Sequence, residues 1–459
     1  MLLGSLVAAA ASARAETGDI ARDIVRALRE RDDRERAMLL ERAVRGAATP
    51  GDADAILRRL LPRARTPVDT EIGVHALARL EDPAALERIG QTAREDGDLV
   101  RRLEAIEAIG RSEQATAADL LTGLQFDADP LVRAAVVSAL GQRGALDDDV
   151  KAGAALDDAD WRVRSAAIWA LARAGWTAPG PGTSPFDPVP LLIGRMRREE
   201  GRLVDDCDEA LAVLLGERYG ARPDAYGALW ARRTGRTWQP PEPPPEPPPP
   251  SLQGPLFTTR SQRILFALSI GESMKQEIVT PRLTGPAEDL LRLAGADLVA
   301  MHAEAKTKLD LARVHLTAMI RLLADGTEFD VAVYADSPTF AFGELVAADD
   351  RTRKRAEARV ASLSAGGGGN LSEMLRRAFD ARGKDPVGAA GGPDTVVLLS
   401  DGRLALPGIT DRNQVTMAVQ RWNRVRQIRF AVVGLTPADD AVLGPLGGGP
   451  PRGIEVRLP

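Results

Sequence analysis

The sequence predicts a multidomain protein in which an all-α solenoid of helical repeats precedes a doubly wound, Rossmann-like α/β domain. Three observations carry this. A helical motif recurs at a spacing of 31 residues between positions 100 and 172. A run of prolines at 239–250 (QPPEPPPEPPPP) interrupts the chain. Beyond it, short apolar strands alternate with helices, the pattern that builds a parallel sheet covered on both faces. The expected divisions are a leader over 1–15, a helical repeat domain over 16–237, a proline-rich linker over 238–255 and an α/β domain over 256–459.

The leader reads MLLGSLVAAAASARA. Residues 2–11 are apolar, and Ala13-Arg14-Ala15 fits the small-x-small cleavage pattern ahead of Glu16. No basic residue precedes the apolar run, which is too short to cross a bilayer, since that takes about 20 apolar residues. As a signal peptide it sends the mature chain to the periplasm or the exterior. As an ordinary N-terminus it leaves the chain in the cytoplasm.

Three segments align within the repeats: 100–110 (VRRLEAIEAIG), 131–141 (LVRAAVVSALG) and 162–172 (RVRSAAIWALA). Arg102, Arg133 and Arg164 are 31 apart, as are Ala108, Ala139 and Ala170. A weaker copy at 70–80 lies 32 earlier, and a later one at 203–211 lies 40 on, with the Gly/Pro stretch 175–190 absorbing the excess. In the third copy Val163, Ala166, Ala167, Ala170 and Leu171 form the apolar stripe of an amphipathic helix. Asp-rich turns at 127–130 and 157–160 supply caps for the open N–H groups of the helix starts. Second helices are expected over 117–124 and 188–197, giving a helix–turn–helix unit of about thirty residues, within the range of solenoid repeats.

This unit resembles the short, bacterial type of HEAT repeat. Asp129-Pro130 through Gly141 is close to that family's D-P-x-V-R-x-x-A-x-x-A-L-G pattern. The resemblance spans 16–236 and is clearest over 98–175. The segment 216–236 looks like a closing tail, with Tyr226 and Trp230 packing on the last helices. It implies a protein-binding or scaffolding array with an extended surface. The proline run favours a stiff polyproline spacer over a PxxP ligand for an aromatic groove.

In the C-terminal part, strands are expected at 263–269 (RILFALS), 328–335 (EFDVAVYA), 395–400 (TVVLLS) and 428–434 (IRFAVVG). Helices are expected at 308–323, 351–363, 371–382 and 412–424. Ligands of such sheets sit at the carboxyl ends of the strands. Four stretches in order resemble a von Willebrand factor A domain over 262–458: 266–274 (FALSIGESM) for the D-x-S-G-S-M loop, 307–323 for the first long helix, 366–371 (GGGGNL) for the G-G-T-N loop, and 398–402 (LLSDG) for the strand ending in S-D-G.

The resemblance implies a metal-ion-dependent adhesion site in these loops. Magnesium takes about six hard oxygens, and in the family two serine hydroxyls, one threonine hydroxyl and two aspartates supply or support them. Here Ser269 stands at the first Asp position, Gly271 at the first Ser, Glu272 at the Gly and Gly369 at the Thr, while Ser273 and Asp401 are retained. Loss of a carboxylate and two hydroxyls predicts a degenerate site with no metal and no other cofactor. Glu272 swinging in beside Asp401 is the one route to a rebuilt magnesium site. Otherwise Asp401 and Ser273 serve as caps, and Asn370 as the cap of the helix that follows the glycines. The glycine run has no following Lys-Ser/Thr pair and follows a helix, so it is not a phosphate loop.

The remaining inventory excludes more than it suggests. A net charge of −5 from 60 basic and 65 acidic residues gives no basic footprint for nucleic acid. A lone cysteine, Cys207, excludes an internal disulfide and a cysteine-based zinc site. With three scattered histidines (His75, His302 and His315), no G-x-S-x-G elbow and no H-E-x-x-H, there is no catalytic arrangement. The expectation is a non-enzymatic interaction or scaffold protein of the bacterial envelope or exterior, with protein partners, no nucleic acid and no membrane span. The alternatives are a metal-dependent adhesion protein with a rebuilt site, and a purely structural envelope component.

Overall fold

Aspartate and proline set most of the helix starts in the N-terminal part. Asp98 Oδ1 accepts from Val100 N at 2.9 Å, and Asp129 Oδ1 from Leu131 N at 2.8 Å. Pro67, Pro83 and Pro130 occupy first positions, where the missing N–H costs nothing. The computed structural model describes residues 20–176, 186–239, 249–253, 258–278, 286–379, 392–405, 407–435 and 454–457. The leader 1–15, residues 177–185 and the proline-rich stretch 240–248 lie outside these, so the signal and spacer readings fall outside the described residues. No described helix is long and apolar enough to cross a membrane.

The chain divides into two compact units, Met1–Asp147 and Asp148–Pro459. The first holds helices α1 (Ile20–Ala27), α2 (Asp33–Val44), α3 (Pro50–Ala55), α4 (Pro67–Ala78), α5 (Pro83–Glu95), α6 (Leu99–Arg111), α7 (Ala117–Thr122) and α8 (Pro130–Gln142). Helix α6 packs on α5 and on α8. Leu103, Ile106 and Ile109 of α6 and Leu131, Val136 and Leu140 of α8 are buried. The spacing of the repeated arginines has a structural cause. Arg133 Nη1 donates to the carbonyls of Asp127 and Ala128 in the turn ahead of its own helix, at 2.8 and 3.1 Å. Arg102 likewise donates to Ala93 O at 2.8 Å and pairs with Asp127. The arginine satisfies carbonyls that the turn leaves open.

The second unit begins with α9 (Asp149–Leu156), α10 (Trp161–Ala174), α11 (Pro188–Met196), α12 (Arg202–Leu215) and α13 (Pro223–Thr234). Arg164 repeats the pattern, donating to Asp158 O at 2.9 Å and Ala159 O at 3.0 Å. The expected closing tail is present. Tyr226 is fully buried with its hydroxyl donating to Asp208 Oδ1 at 2.6 Å, and Trp230 Nε1 donates to Asp187 Oδ2 at 2.8 Å.

The α/β part follows in the same unit: β1 (Leu252–Gln253), β2 (Thr258–Thr259), β3 (Arg263–Ser269), α14 (Pro286–Ala294), α15 (Ala296–Ala303), α16 (Lys308–Arg321), β4 (Glu328–Tyr334), β5 (Pro338–Phe340), β6 (Val346–Ala347), α17 (Asp350–Ala361), α18 (Leu371–Phe379), β7 (Thr395–Ser400), α19 (Arg412–Arg426), β8 (Arg429–Gly434) and β9 (Ile454–Arg457). The main sheet runs β5-β4-β3-β7-β8-β9, with β6 also on β4. Strands β4, β3, β7, β8 and β9 are mutually parallel, and β5 and β6 close one edge antiparallel.

Both faces are covered, as near-continuous apolar strands require. Ile264, Phe266 and Leu268 of β3 face Leu316, Met319 and Ile320 of α16 and Val360 of α17. Leu265 and Ala267 face Met374 and Leu375 of α18 and Val415 and Val419 of α19. Between β3 and α16 the chain makes a helical excursion through α14 and α15. It leaves and returns at one point, where Lys308 N donates to Gln276 O at 3.1 Å and Ile278 N to Lys306 O at 3.0 Å.

The amino ends of the strands rest directly on α12, which the reading of two modules held apart by a spacer does not anticipate. Arg202 donates to the carbonyls of Asp394, at 2.9 Å, and Gln427, which flank β7 and β8. It also reaches Ser165 Oγ at 2.8 Å and Asp206 at 2.9 Å, and its guanidinium lies over the Trp161 ring. Arg429, first residue of β8, pairs with Glu209 at 2.7 Å and lies 3.8 Å from Asp206. Asp205 takes Arg260 N and Arg260 Nη1, each at 2.7 Å. Asp205, Asp206 and Glu209 are thus turned onto arginines of the sheet base, while Asp208 holds Arg218 and Tyr226 within the helical part.

Candidate functional site

The opposite end of the sheet, at the carboxyl termini of β3, β4 and β7, brings together the positions that the sequence marks as metal-site remnants. Ser269 and Ser400 end the neighbouring strands β3 and β7 buried, and Tyr334 ends β4 on the other side of β3. The Tyr334 hydroxyl donates to Ser400 Oγ at 3.1 Å, and Gly402 N donates to the same oxygen at 3.0 Å. Burial raises the tyrosine's pKa, so it remains a neutral donor.

The loops after β3, β4 and β7 are each joined to the glycine run backbone to backbone. Glu272 N donates to Gly367 O at 2.9 Å and Gly366 N to Ile270 O at 2.8 Å. Asn370 N donates to Ala335 O at 2.8 Å and Ala405 N to Gly369 O at 3.3 Å. Asp336 adds a tie by accepting from Gly368 N at 2.7 Å. This closeness depends on two glycines. A Cβ on Gly271 would lie 2.5 Å from Gly368 O, and one on Gly369 would lie 2.8 Å from Arg403 O. These are the two positions where the resemblance calls for Ser and Thr. The hydroxyl ligands are missing, and neighbouring backbone stands where their side chains would begin.

The other remnants divide. Glu272 points outward, two-thirds exposed, with Lys275 Nζ at 2.8 Å, so it is not beside Asp401. Ser273 is half-buried in a single turn of 3₁₀ helix over Glu272–Lys275. Asp401 is buried, and its Oδ1 accepts from Arg403 N at 3.3 Å. Its Oδ2 faces the Lys308 ammonium at 3.6 Å, with Arg403 Nε at 3.9 Å. Asn370 is the helix cap that the sequence suggests, its Oδ1 accepting from Glu373 N and Ser372 Oγ at 3.1 Å each.

Magnesium needs about six oxygens in near-octahedral array. One buried carboxylate already facing an ammonium, with backbone filling the hydroxyl positions, does not fit it. Among the described residues there is also no group of three or more His, Cys, Asp or Glu side chains placed to hold a metal.

Sequence reasoning missed Lys308, Tyr334 and Asp336. Lys308 carried a usable signal: it is the first residue of a helix, directly after the cap Thr307, where a cation opposes the helix dipole.

A second feature lies in the repeats of the first unit. A cavity of about 640 Å³ is lined by Val44, Val68, Ile72 and Ala76, with Glu41 and Arg79 among its charged lining residues. It also includes His75, one of the histidines without an assigned role.

Comparison with known proteins agrees with both parts. The family model described as HEAT repeats matches 86–172, and the von Willebrand factor type A domain model matches 298–446. The chain therefore carries HEAT repeats and a von Willebrand factor A domain. No curated protein matches it. Similar solved structures include a von Willebrand factor type A protein from Catenulispora acidiphila, at 19% identity over 44% of this chain and 40% of that one, TM-score 0.27. This chain thus spans 40% of that protein's length. The conserved hypothetical protein BatB of Bacteroides thetaiotaomicron is similar at 14% identity over 42% of this chain and 89% of that one, TM-score 0.28. The RO (RSR) protein of Deinococcus radiodurans is similar at 14% identity over 95% of this chain and 87% of that one, TM-score 0.25.

Proposed function

We propose that this chain, which joins HEAT repeats to a von Willebrand factor A domain, is a non-enzymatic scaffold that presents the domain and its last repeats to protein partners as one composite surface. The observation that carries this reading is the buried seam between α12 and the sheet base. Arg202, Arg260 and Arg429 are committed there to Asp205, Asp206, Glu209 and two backbone carbonyls. Buried charge pairs add little net stability, but they punish misalignment, because any shift strands a desolvated charge. A seam of this kind suits a protein whose task is to hold two recognition surfaces in fixed relation.

The partner class is protein, not nucleic acid, given a net charge of −5. The apolar run over residues 2–11 and the cleavage pattern before Glu16 favour work in the periplasm or outside the cell, as part of the envelope. N-terminal sequencing of the mature protein tests that placement, with Glu16 as the expected first residue.

Affinity purification of the full-length chain from its own cells, followed by titration of each retained protein against the purified chain, tests the scaffold reading. A saturable complex of fixed stoichiometry, weakened by Arg202→Met, is expected. A chain without any saturable protein partner would leave the purely structural alternative standing.

A further inference from the structure

We propose that the Lys308 ammonium is a built-in replacement for the divalent cation at the carboxyl end of this sheet, so that the domain works without metal. The position of Lys308 is an unfavourable one for an ammonium. It is 2% exposed and begins α16, where the helix dipole already places positive potential. An ammonium buried there is costly unless an anion faces it. Asp401 is that anion, 2% exposed, with Oδ2 3.6 Å from Nζ.

The rest of the site is arranged consistently with a resident lysine. A divalent ion would need oxygens from positions 271 and 369, and there the chain has glycines pressed onto the backbone of Gly368 and Arg403. The one spare carboxylate, Glu272, is turned out to solvent onto Lys275. A monovalent cation on a tether needs far fewer ligands than magnesium, whose near-octahedral shell takes six. It also cannot be diluted away or removed by a chelator.

The placement has a structural consequence. Lys308 closes the helical excursion that follows β3 and begins at Gln276, through the bond from Lys308 N to Gln276 O. The ion pair therefore fastens both α16 and the excursion to the loop after β7. A partner docking on this end of the domain needs no carboxylate to complete a metal shell. This inference concerns the carboxyl end of the sheet only and does not depend on the docking at its base.

The test uses the full-length chain with the seam residues unchanged. Calorimetry and thermal unfolding are run with magnesium and with manganese at millimolar concentration, on the wild type, Lys308→Met, Asp401→Asn and the double variant. The wild type is expected to show no saturable heat and no metal-dependent change in Tm. Each single change removes one charge of the buried pair and leaves the other facing a neutral side chain, and is expected to lower Tm by roughly 5–10 °C. The double variant removes both charges together, so its loss is expected to be smaller than the sum of the two. Additive losses would overturn the proposal, as would saturable metal binding by the wild type that Asp401→Asn abolishes. If a single variant fails to fold, a double variant that folds supports the pair, and one that also fails overturns it.

Discussion

His315 has both ring nitrogens buried without a hydrogen-bond partner, and its nearest aromatic neighbour is His302, with ring centroids 5.6 Å apart. Burial, then the second imidazole, depresses its pKa from 6.5 to about 3. The folded chain thus holds His315 neutral where the unfolded chain would be protonated. Its contribution to stability is complete above pH 6.5 and is lost as pH falls from there towards 3, at about 1.4 kcal/mol per pH unit. Burial also lowers the pKa of His302, which adds in the same direction. Urea unfolding at pH 7 and pH 5 is expected to show a larger loss for the wild type than for His315→Leu, by roughly 2 kcal/mol. Equal losses would mean that this side chain reaches water. Arg202 is the other residue on which much rests. Arg202→Met removes the guanidinium from the Trp161 ring and takes a buried donor from Asp206 and from the Asp394 and Gln427 carbonyls, and is expected to cost about 3–5 kcal/mol in the same assay.

The loops at the carboxyl end of the sheet make a prediction at the level of elements. Restoring family-like side chains at Gly271 and Gly369 ought to improve metal binding if missing ligands were the whole story. The backbone contacts say otherwise: Gly271→Ser and Gly369→Thr push the loops apart and are expected to destabilise by about 1–3 kcal/mol each, without conferring magnesium binding by calorimetry. A stable, magnesium-binding double variant would show that the loops open freely.

How far the elements were legible in sequence follows the same division between pattern and packing. Strands β3 and β7 match their expected bounds, because continuous apolar runs edged by polar residues carry that information locally. The repeated arginines were visible as a spacing, and the turn carbonyls they satisfy supply the reason. The short edge strands β5 and β6, the strand β9 and the helices α14 and α15 were not anticipated, since each is nine residues or shorter. At the site, the six remnant positions were identified from motif order alone. That Glu272 faces Lys275 and Asp401 faces Lys308 was not legible, because Lys308 is 93 residues from Asp401 and their pairing is set by tertiary packing.

At the scale of the second unit, the proline-rich segment and the seam make opposite demands. A stiff spacer would hold two independent modules apart, yet α12 and the sheet base share a buried network that neither could leave exposed without loss. Alone, the fragment 256–459 would present Arg429 and the Asp394 and Gln427 carbonyls to water without Arg202, Asp206 and Glu209. The fragment 148–459 keeps all of them. Placing a specific protease site within 240–248 of the full-length chain and cutting it separates these possibilities. If the seam holds the parts together, the two pieces co-elute in size-exclusion chromatography at moderate salt, and Arg202→Met or Asp206→Asn releases them. Burial limits screening of these pairs, so co-elution is expected to survive salt that would dissolve a surface contact. Separation of the wild-type pieces at once after cutting would show that the linker, not the seam, keeps the modules together, and would return the protein to a tethered pair of independent binders.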